Sequence, residues 1–297
     1  MESPAVAIDG LIKRYGSTLA LGGLSLIAQR GAVTAVLGRN GAGKTTAIEI
    51  CEGLRTFDGG SVTVLGRRPD DPTLRSRVGV MPQTGGSYQT ATVQQLLDLF
   101  ASFYAQPLSV ADLLERLDLA PLRKRLVKRL SGGQAQRLSL ALAIVGRPEL
   151  VFLDEPTANL DVHARNGVWE LVRELRAAGV SVVLTTHNMQ EAEALADAVA
   201  IIEGGALLAH GAPSLLAGSR GSTVSFRAAS LEGLQLPAAM HARLMPDGRY
   251  VVEGATDSRA LAIVSSALAD ADIRASDIHL GSGGLEEVFL ALTGESA

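Results

Sequence analysis

Short apolar stretches alternate with longer amphipathic ones through the first two thirds of the chain. Residues 150–153 and 180–186 are mostly apolar or β-branched, which predicts buried strands, and residues 162–178 between them have the period of an amphipathic helix. Residues 32–37 form a further predicted strand, which runs into a glycine-rich turn at 38–43. This alternation predicts an α/β domain in which parallel strands are joined by right-handed helical crossovers.

The pattern changes twice further along the chain. Residues 92–146 have a helical pattern throughout, which predicts a helical lobe inserted into the α/β core. After residue 217 short strands and helices alternate with weaker periodicity, so we predict a main domain over 1–217 and a small α+β domain over 218–297. The predicted elements of the second domain are strands at 223–227, 250–253 and 273–280 and helices at 258–269 and 285–292.

Composition narrows the class of protein. With 297 residues, 47% of them hydrophobic and 20% charged, the chain is globular and long enough to bury a substantial core. It has no run of roughly 20 apolar residues, which a membrane-spanning helix needs. Its first residues, Met-Glu-Ser-Pro, lack the basic start and apolar stretch of a signal peptide. We therefore expect a cytoplasmic protein in which the single cysteine, Cys51, forms no internal disulfide.

The charge distribution does not indicate nucleic-acid binding. The formal net charge is −4, from 27 Lys and Arg residues against 31 Asp and Glu residues. The one basic cluster is interpreted as a solvated helix face rather than a polyanion site. Its members are Arg123, Lys124, Arg125, Lys128 and Arg129.

The clearest chemical motif is a phosphate-binding loop, because two glycines separated by four residues are followed by Lys and Thr. The glycines let backbone N–H groups wrap around phosphate oxygens, and the helix that begins near Gly43 directs its positive end at them. We expect Lys44 to neutralise the β- and γ-phosphates and the Thr45 hydroxyl to bind Mg²⁺. A turn that only caps a helix is the alternative. The loop residues are Gly38, Arg39, Asn40, Gly41, Ala42, Gly43, Lys44 and Thr45.

Polar side chains follow the ends of the neighbouring strands. Asp154 ends one buried strand and Glu155 comes next, so Asp154 can hold Mg²⁺ through water and Glu155 can polarise the water that attacks the γ-phosphate. His187 closes another strand and can hydrogen-bond the γ-phosphate, while the amide of Gln83 can contact the metal or the attacking water. Taken singly, these residues also fit a strand exit or a structural histidine. Downstream of a phosphate loop, the catalytic interpretation is favoured.

A second glycine-containing segment, Leu130-Ser-Gly-Gly-Gln134, also has the features of an anion site. Ser131 is a good helix N-cap, the two glycines open the backbone, and the following helix points its positive end outward. One chain therefore contains two helix starts suited to phosphate, although a single bound nucleotide needs only one.

In their order along the chain, these motifs resemble those of the ATP-binding-cassette (ABC) ATPases, over roughly residues 5–215. The resemblance implies a P-loop NTPase core with an N-terminal antiparallel β subdomain, and ATP and Mg²⁺ as ligands. It also implies a head-to-tail homodimer in which residues 131–134 of one subunit close over ATP held by residues 38–46 of the other. Besides the loop residues, the implied nucleotide contacts are Tyr15, Thr46, Ser131, Gly132, Gly133, Gln134 and Asp161; the implied metal ligands are Thr45, Gln83 and Asp154; and the implied catalytic residues are Lys44, Gln83, Glu155 and His187.

Three positions qualify the resemblance. Tyr15 matches the aromatic residue that stacks on adenine in this family, although a lone tyrosine also fits an ordinary sheet residue. Arg39 stands where the family usually has Pro and adds a cation near the phosphates. Asn159 stands where a Gly is common in the loop before Leu160-Asp161, which puts contacts across the dimer in doubt.

The single cassette and the lack of a membrane span imply a separate transmembrane permease as partner. Residues 283–294 resemble the ending of daunorubicin-resistance-type exporter ATPases, which implies drug efflux at the cytoplasmic face of the plasma membrane. Leu285, Val288, Phe289 and Leu292 share one helical face, which either packs on its own domain or braces the dimer. The alternatives are export of a cell-envelope glycan or lipid, and a soluble ABC ATP switch outside transport.

Overall fold

A computed structural model of the chain describes residues 3–82, 90–158, 160–218, 222–245, 248–254, 258–282 and 284–293. Gln83 and Asn159 lie outside the described residues. The chain divides into two compact units, residues 1–211 and 212–297. The predicted boundary after residue 217 thus shifts to residue 211, because the helix α7 (Pro213–Gly218) packs against a later helix of the second unit.

The first unit begins with an antiparallel sheet of three strands. Its strands are β1 (Val6–Tyr15), β2 (Thr18–Ala28) and β4 (Gly59–Val64), in the order β2-β1-β4. Buried residues alternate with exposed ones along much of each strand, so one face is packed and the other meets solvent. The sheet is the N-terminal antiparallel subdomain that the resemblance implies.

The core of the first unit is a six-stranded sheet, in the order β5-β6-β7-β3-β8-β9. The first five strands in this order run parallel and β9 is antiparallel to β8. The strands are β3 (Val33–Leu37), β5 (Val78–Met81), β6 (Leu150–Asp154), β7 (Ser181–Thr186), β8 (Ala198–Glu203) and β9 (Ala206–Gly211). Every residue of β3, β6 and β7 is buried, which is why these strands lack polar alternation and could be recognised as apolar runs.

The helices of the first unit include the inserted lobe that the sequence predicts. They are α1 (Lys44–Cys51), α2 (Val93–Ala101), α3 (Val110–Arg116), α4 (Gly132–Ile144), α5 (Val162–Ala177) and α6 (Met189–Leu195). The lobe contains α2, α3 and α4, and α2 begins at a capping box formed by Thr92 and Gln95. The basic cluster at 123–129 is exposed, as expected, but it lies on a turn and the short 3₁₀ helix Val127–Arg129 rather than on an α-helix face.

The second unit is a four-stranded antiparallel sheet with a helix packed on it, in the order β11-β12-β10-β13. The elements that follow α7 are β10 (Ser222–Ala228), β11 (His241–Leu244), β12 (Tyr250–Glu253), α8 (Ser258–Asp270), β13 (Ala275–Ser282) and α9 (Leu285–Leu292). Val224, Phe226 and Val252 of the sheet form a core with Val264 and Leu268 of α8. The strand β11 was not predicted, because this short edge strand has no buried residue and therefore no apolar alternation.

The C-terminal helix α9 packs against α7 within this unit. Leu285, Val288 and Phe289 are buried in the single chain, whereas Leu292 is exposed. Most of the apolar face of α9 is thus covered without a second subunit. Across the described residues, no helix has the length and apolar character to cross a bilayer.

Candidate functional site

Three parallel strands bring the predicted motifs to one edge of the sheet. Leu37 of β3 is paired with Thr186 of β7, and Asp154 of β6 is paired with Thr185 of the same strand. The phosphate loop after β3, Glu155 after β6 and His187 after β7 therefore leave the sheet side by side. This is the carboxyl edge at which open α/β sheets bind their ligands.

The loop is shaped by close backbone approaches that only glycine permits. A Cβ atom at Gly38 would lie 2.4 Å from the carbonyl oxygen of Ile202, and one at Gly43 would lie 2.8 Å from that of Ala20. Gly43 is also the N-cap of α1, and its φ of 101° is a backbone conformation that residues with a side chain rarely adopt. The first N–H groups of α1 therefore lie next to the loop, as phosphate binding requires.

Lys44 is buried at the start of α1, and its ammonium is held by the loop itself. Nζ donates to the carbonyl oxygens of Gly38 at 2.8 Å and Arg39 at 3.1 Å. It also lies 3.6 Å from Oε1 of Glu155. The Arg39 contact uses only the backbone carbonyl, so the Arg side chain that departs from the family pattern leaves it intact.

The position of Glu155 is fixed by an unusual backbone conformation and by contacts with Thr185 on β7 and with His187 just after that strand. Its φ of 49° lies in the left-handed region, where a non-glycine residue is uncommon and often functional. Its N–H donates to Oγ1 of Thr185 at 2.9 Å, and its Oε1 lies 3.2 Å from Nδ1 of His187. The structure thus brings together Glu155, His187 and Lys44, which the sequence analysis singled out separately.

Asp154 is buried beside the phosphate loop, and burial raises the pKa of its carboxyl group. Hydrogen bonds from the hydroxyl groups of Thr185 and Thr45 act in the opposite direction, as does the charge of Lys44, whereas the charge of Glu155 raises the pKa further. Two of the three predicted metal ligands, Thr45 and Asp154, are therefore adjacent. Hydroxyl and carboxylate oxygens are the ligands that Mg²⁺ prefers.

The loop opens on a cavity of about 310 Å³. It is lined by Tyr15, Ala20, Asn40, Gly41, Gly43, Lys44, Thr45, Thr46 and Glu155. Tyr15 is 42% exposed, and the cations of Lys13 and Arg55 lie over its ring at 5.3 and 5.6 Å from the centroid. A larger cleft of about 870 Å³ lies at the opposite edge of the sheet, and its lining includes none of the predicted site residues.

The segment 131–134 lies apart from this cavity within the single chain. Ser131 Oγ accepts from the N–H of Gln134 at 3.3 Å, and Gln134 Oε1 accepts from the N–H of Ser131 at 3.1 Å, so the two residues form a capping box on α4. Ser131 and Gly132 are exposed, and a Cβ at Gly132 would meet nothing within 4 Å. No residue of 131–134 is among the described residues that line the cavity. Asp161, which caps α5 through the N–H of Ala164 at 2.9 Å, is also exposed and outside that lining.

Two residues that hydrogen-bond to Asp154 or to the backbone of Glu155 were not predicted from the sequence. Thr185 bonds both Asp154 and the backbone of Glu155. Gln136, on α4 after the capping box, donates through Nε2 to the carbonyl oxygen of Glu155 at 2.8 Å. Thr185 could have been noticed because it stands two residues before His187 on the same strand, whereas a glutamine in mid-helix carries no such signal.

Comparison with known proteins gives consistent results. The ABC transporter family profile matches residues 21–158. The daunorubicin resistance ATP-binding protein DrrA3 of Streptomyces coeruleorubidus is 38% identical over 99% of this chain and 98% of its own, and the daunorubicin/doxorubicin resistance protein DrrA of Streptomyces peucetius is 35% identical over 99% and 93%. A Nod factor export ATP-binding protein I of Ralstonia nicotianae is 36% identical over 71% of this chain and 68% of its own.

Solved structures agree at the level of the fold. An ATP-binding subunit of an ABC transporter superposes with a TM-score of 0.66 at 28% identity, covering 71% of this chain and 91% of that one. A dimeric ATP-binding cassette bound to ADP and Pi superposes with a TM-score of 0.64 at 22% identity, covering 70% and 98%.

The fold defines a P-loop ATPase that binds a nucleotide. The chain belongs to the family of ABC transporter ATP-binding proteins. Its function is that of the ATP-hydrolysing subunit of an ABC exporter.

Proposed function

We propose that the chain powers drug export as a head-to-tail homodimer that binds two ATP molecules and drives a separate transmembrane permease at the cytoplasmic face of the plasma membrane. The observation that carries the dimer is the position of residues 131–134. They form an exposed helix start suited to an anion, yet the cavity that contains the phosphate loop is lined without them. A second copy placed head to tail would bring this segment over that cavity.

In this proposal each residue at the sheet edge has a separate role in binding or hydrolysing ATP. Lys44 and the loop N–H groups bind the β- and γ-phosphates, and Tyr15 stacks on adenine. Glu155 takes the proton of the attacking water, and His187, 3.2 Å from that carboxylate, hydrogen-bonds the γ-phosphate. When bound, Mg²⁺ would be held by Thr45 and Asp154 and would neutralise phosphate charge.

The remaining assigned residues complete the site. Gln83, which lies outside the described residues, is proposed as a ligand of Mg²⁺ or of the attacking water. Ser131, Gly132, Gly133, Gln134 and Asp161 are proposed to act on the nucleotide of the partner subunit, which explains why none of them lines the cavity of their own chain.

A drug is favoured as the transported substrate by the extent of similarity. The relatives named for daunorubicin resistance align over 99% of the chain and therefore include its second unit. The relatives named for Nod factor export align over 68–73% of it. Export of a cell-envelope glycan or lipid is the second candidate, because these relatives are named for export of Nod factor rather than for drug resistance.

Mixing two inactive variants tests the composite site. Lys44→Ala damages the phosphate loop and Ser131→Arg damages the segment that closes over the partner's ATP, so each homodimer has two defective sites. A heterodimer has one site with both lesions and one with neither. An equal mixture should therefore regain up to about a quarter of wild-type ATPase activity, because half of the dimers then have one intact site of two. If the mixture stays as inactive as each variant alone, the head-to-tail site is wrong.

Affinity purification of the tagged chain from detergent-solubilised membranes tests the coupling to transport. The proposal expects a polytopic membrane protein at comparable abundance in the eluate. Recovery of soluble partners alone, with the chain absent from the membranes, would contradict it and favour a soluble ATP switch.

A further inference from the structure

Glu191 is a buried carboxylate that has no part in the mechanism above. It lies on α6, four residues after His187, and its exposed fraction is 0%. Oε1 accepts two hydrogen bonds, from Oγ1 of Thr157 at 2.8 Å and from Nε1 of Trp169 at 3.1 Å. Oε2 is buried and has no hydrogen-bond partner among the described residues.

This arrangement is costly as a purely structural feature. Burial of a carboxylate without full hydrogen bonding opposes folding, and an apolar residue of similar volume commonly packs as well or better in such a place. A buried polar group that is only partly satisfied calls for an explanation other than stability.

The position of Glu191 supplies that explanation. Thr157 stands two residues after Glu155, in the turn closed by the hydrogen bond from the N–H of Ala158 to the carbonyl oxygen of Glu155 at 3.1 Å. Trp169 lies on α5, the helix capped by Asp161. Glu191 therefore joins the segment that follows Glu155 to the helix that follows Asp161.

Glu191 also belongs to the segment that carries His187. Its N–H donates to Oδ1 of Asn188 at 3.3 Å. Asn188 follows His187 directly and is the N-cap of α6. Glu191 thus connects, through its side chain and its backbone N–H, the segments on which Glu155, His187 and Asp161 stand. A small shift at this junction would change the separation of Glu155 from His187, which is 3.2 Å between Oε1 and Nδ1.

We propose that Glu191 is a positioning residue for ATP hydrolysis, which holds Glu155 against His187 and ties both to the Asp161 segment through Thr157 and Trp169. The inference rests on the roles of Glu155 and His187 proposed above. It goes beyond them, because it assigns the geometry of the pair to Glu191, which is not among the residues proposed to contact the nucleotide.

The test compares Glu191→Ala with Glu191→Gln in the full chain, reconstituted with the membrane subunit that co-purifies with it. Glu191→Ala removes the acceptor, so kcat for ATP should fall by about tenfold or more, since displacement of a reacting group by about 1 Å can cost on the order of 100-fold. KM for ATP should change by less than about twofold, because the loop that binds the phosphates is untouched. Glu191→Gln keeps an oxygen that accepts both bonds and should restore most of kcat.

The chain provides its own spectroscopic signal, because Trp169 is its single tryptophan. Its indole N–H is bonded to Glu191, so tryptophan emission should shift in Glu191→Ala and stay near wild type in Glu191→Gln. The matched control is Glu170→Ala, which removes an exposed carboxylate next to Trp169 on α5 and should leave kcat unchanged.

Thr157→Val keeps the inference falsifiable if Glu191→Ala fails to fold. It removes one hydrogen bond to the carboxylate, so it should also lower kcat with little change in KM. If Glu191→Ala folds and has wild-type kcat, the inference is wrong. If Glu191→Ala does not fold, wild-type kcat in folded Thr157→Val would overturn the inference. Glu155→Gln distinguishes failure of the positioning role from failure of the proposed function. If Glu155→Gln is inactive while Glu191→Ala is fully active, only the positioning role of Glu191 fails. If Glu155→Gln is itself active, the proposed function fails.

Discussion

Oε1 of Glu155 lies 3.6 Å from Nζ of Lys44, and the two side chains are 9% and 5% exposed. The phosphate loop and the strand that precedes the carboxylate are far apart in sequence. The contact between Lys44 and Glu155 therefore brings the two motifs together at one place in the fold. Because both groups are buried, a change at either one also alters the electrostatic surroundings of the other. Variants at these positions therefore need separate measurements of binding and hydrolysis.

We expect Glu155→Gln to bind ATP but hydrolyse it slowly. The amide is nearly isosteric and cannot accept a proton, so the rate of hydrolysis should fall by about 100-fold or more, the range that general-base catalysis contributes. ATP should then accumulate in a closed dimer, which size-exclusion chromatography in the presence of ATP would detect. Glu170→Gln, a change at an exposed carboxylate, serves as the control. Wild-type turnover in Glu155→Gln would remove Glu155 from its assigned role.

Lys44→Ala should lose affinity for nucleotide as well as hydrolysis. The variant removes the cation that faces the phosphates and leaves Glu155 buried without its neighbouring charge. Titration with a fluorescent ATP analogue measures the affinity, which should drop by at least about tenfold, since hydrogen bonds to charged groups contribute roughly 1.5–3 kcal/mol. Lys124→Ala, at an exposed position of the basic cluster, should bind as the wild type does. Equal affinities in the two variants would show that Lys44 does not contact phosphate.

Glu52 should make the stability of the chain dependent on pH. Burial, and then the charges of Asp154 and Glu49, raise the pKa of Glu52 from 4.5 to about 8, and its buried Oε1 has no hydrogen-bond partner among the described residues. The folded chain therefore retains a proton that the unfolded chain releases above the lower value. Stability should accordingly fall as pH rises from about 4.5 to about 8.

Thermal unfolding of Glu52→Gln across this pH range measures the effect. The variant cannot ionise, so its melting temperature should decline less than that of the wild type between pH 5 and pH 8. Both proteins should be measured without nucleotide or metal, because Asp154 lies close enough to contribute to the pKa of Glu52. Parallel profiles for the variant and the wild type would contradict the assignment.

Phe289→Ala tests whether α9 is part of the core of the second unit. Phe289 is 4% exposed, so truncation should lower the free energy of unfolding by about 3–5 kcal/mol, the usual cost of a buried Phe→Ala change. Leu292→Ala, at a position 38% exposed on the same helix, should cost much less. Denaturant unfolding compares the two variants. If Leu292→Ala is the more damaging one at concentrations where the chain dimerises, the helix acts as a dimer brace instead.

Local patterns were sufficient for much of the fold. Buried parallel strands are continuous apolar runs, so β3, β6 and β7 could be placed from the sequence, as could the long helix α5 between two of them. The capping box of Thr92 and Gln95 fixed the start of the helical lobe close to its predicted position. The edge strand β11 was missed because it has no buried residue and therefore no periodic signal.

The sequence by itself identified the candidate phosphate loop, because such a loop is a local motif in which glycine, lysine and threonine must stand at fixed spacing. Tertiary structure alone decided how this loop meets the other candidate site residues. Gln136 bonds the carbonyl oxygen of Glu155, and Glu191 bonds Thr157, although nothing in the spacing of these residues indicates either contact. The reason is physical: periodicity records which face of an element is buried, whereas the partner of a buried polar group depends on which elements the fold packs together.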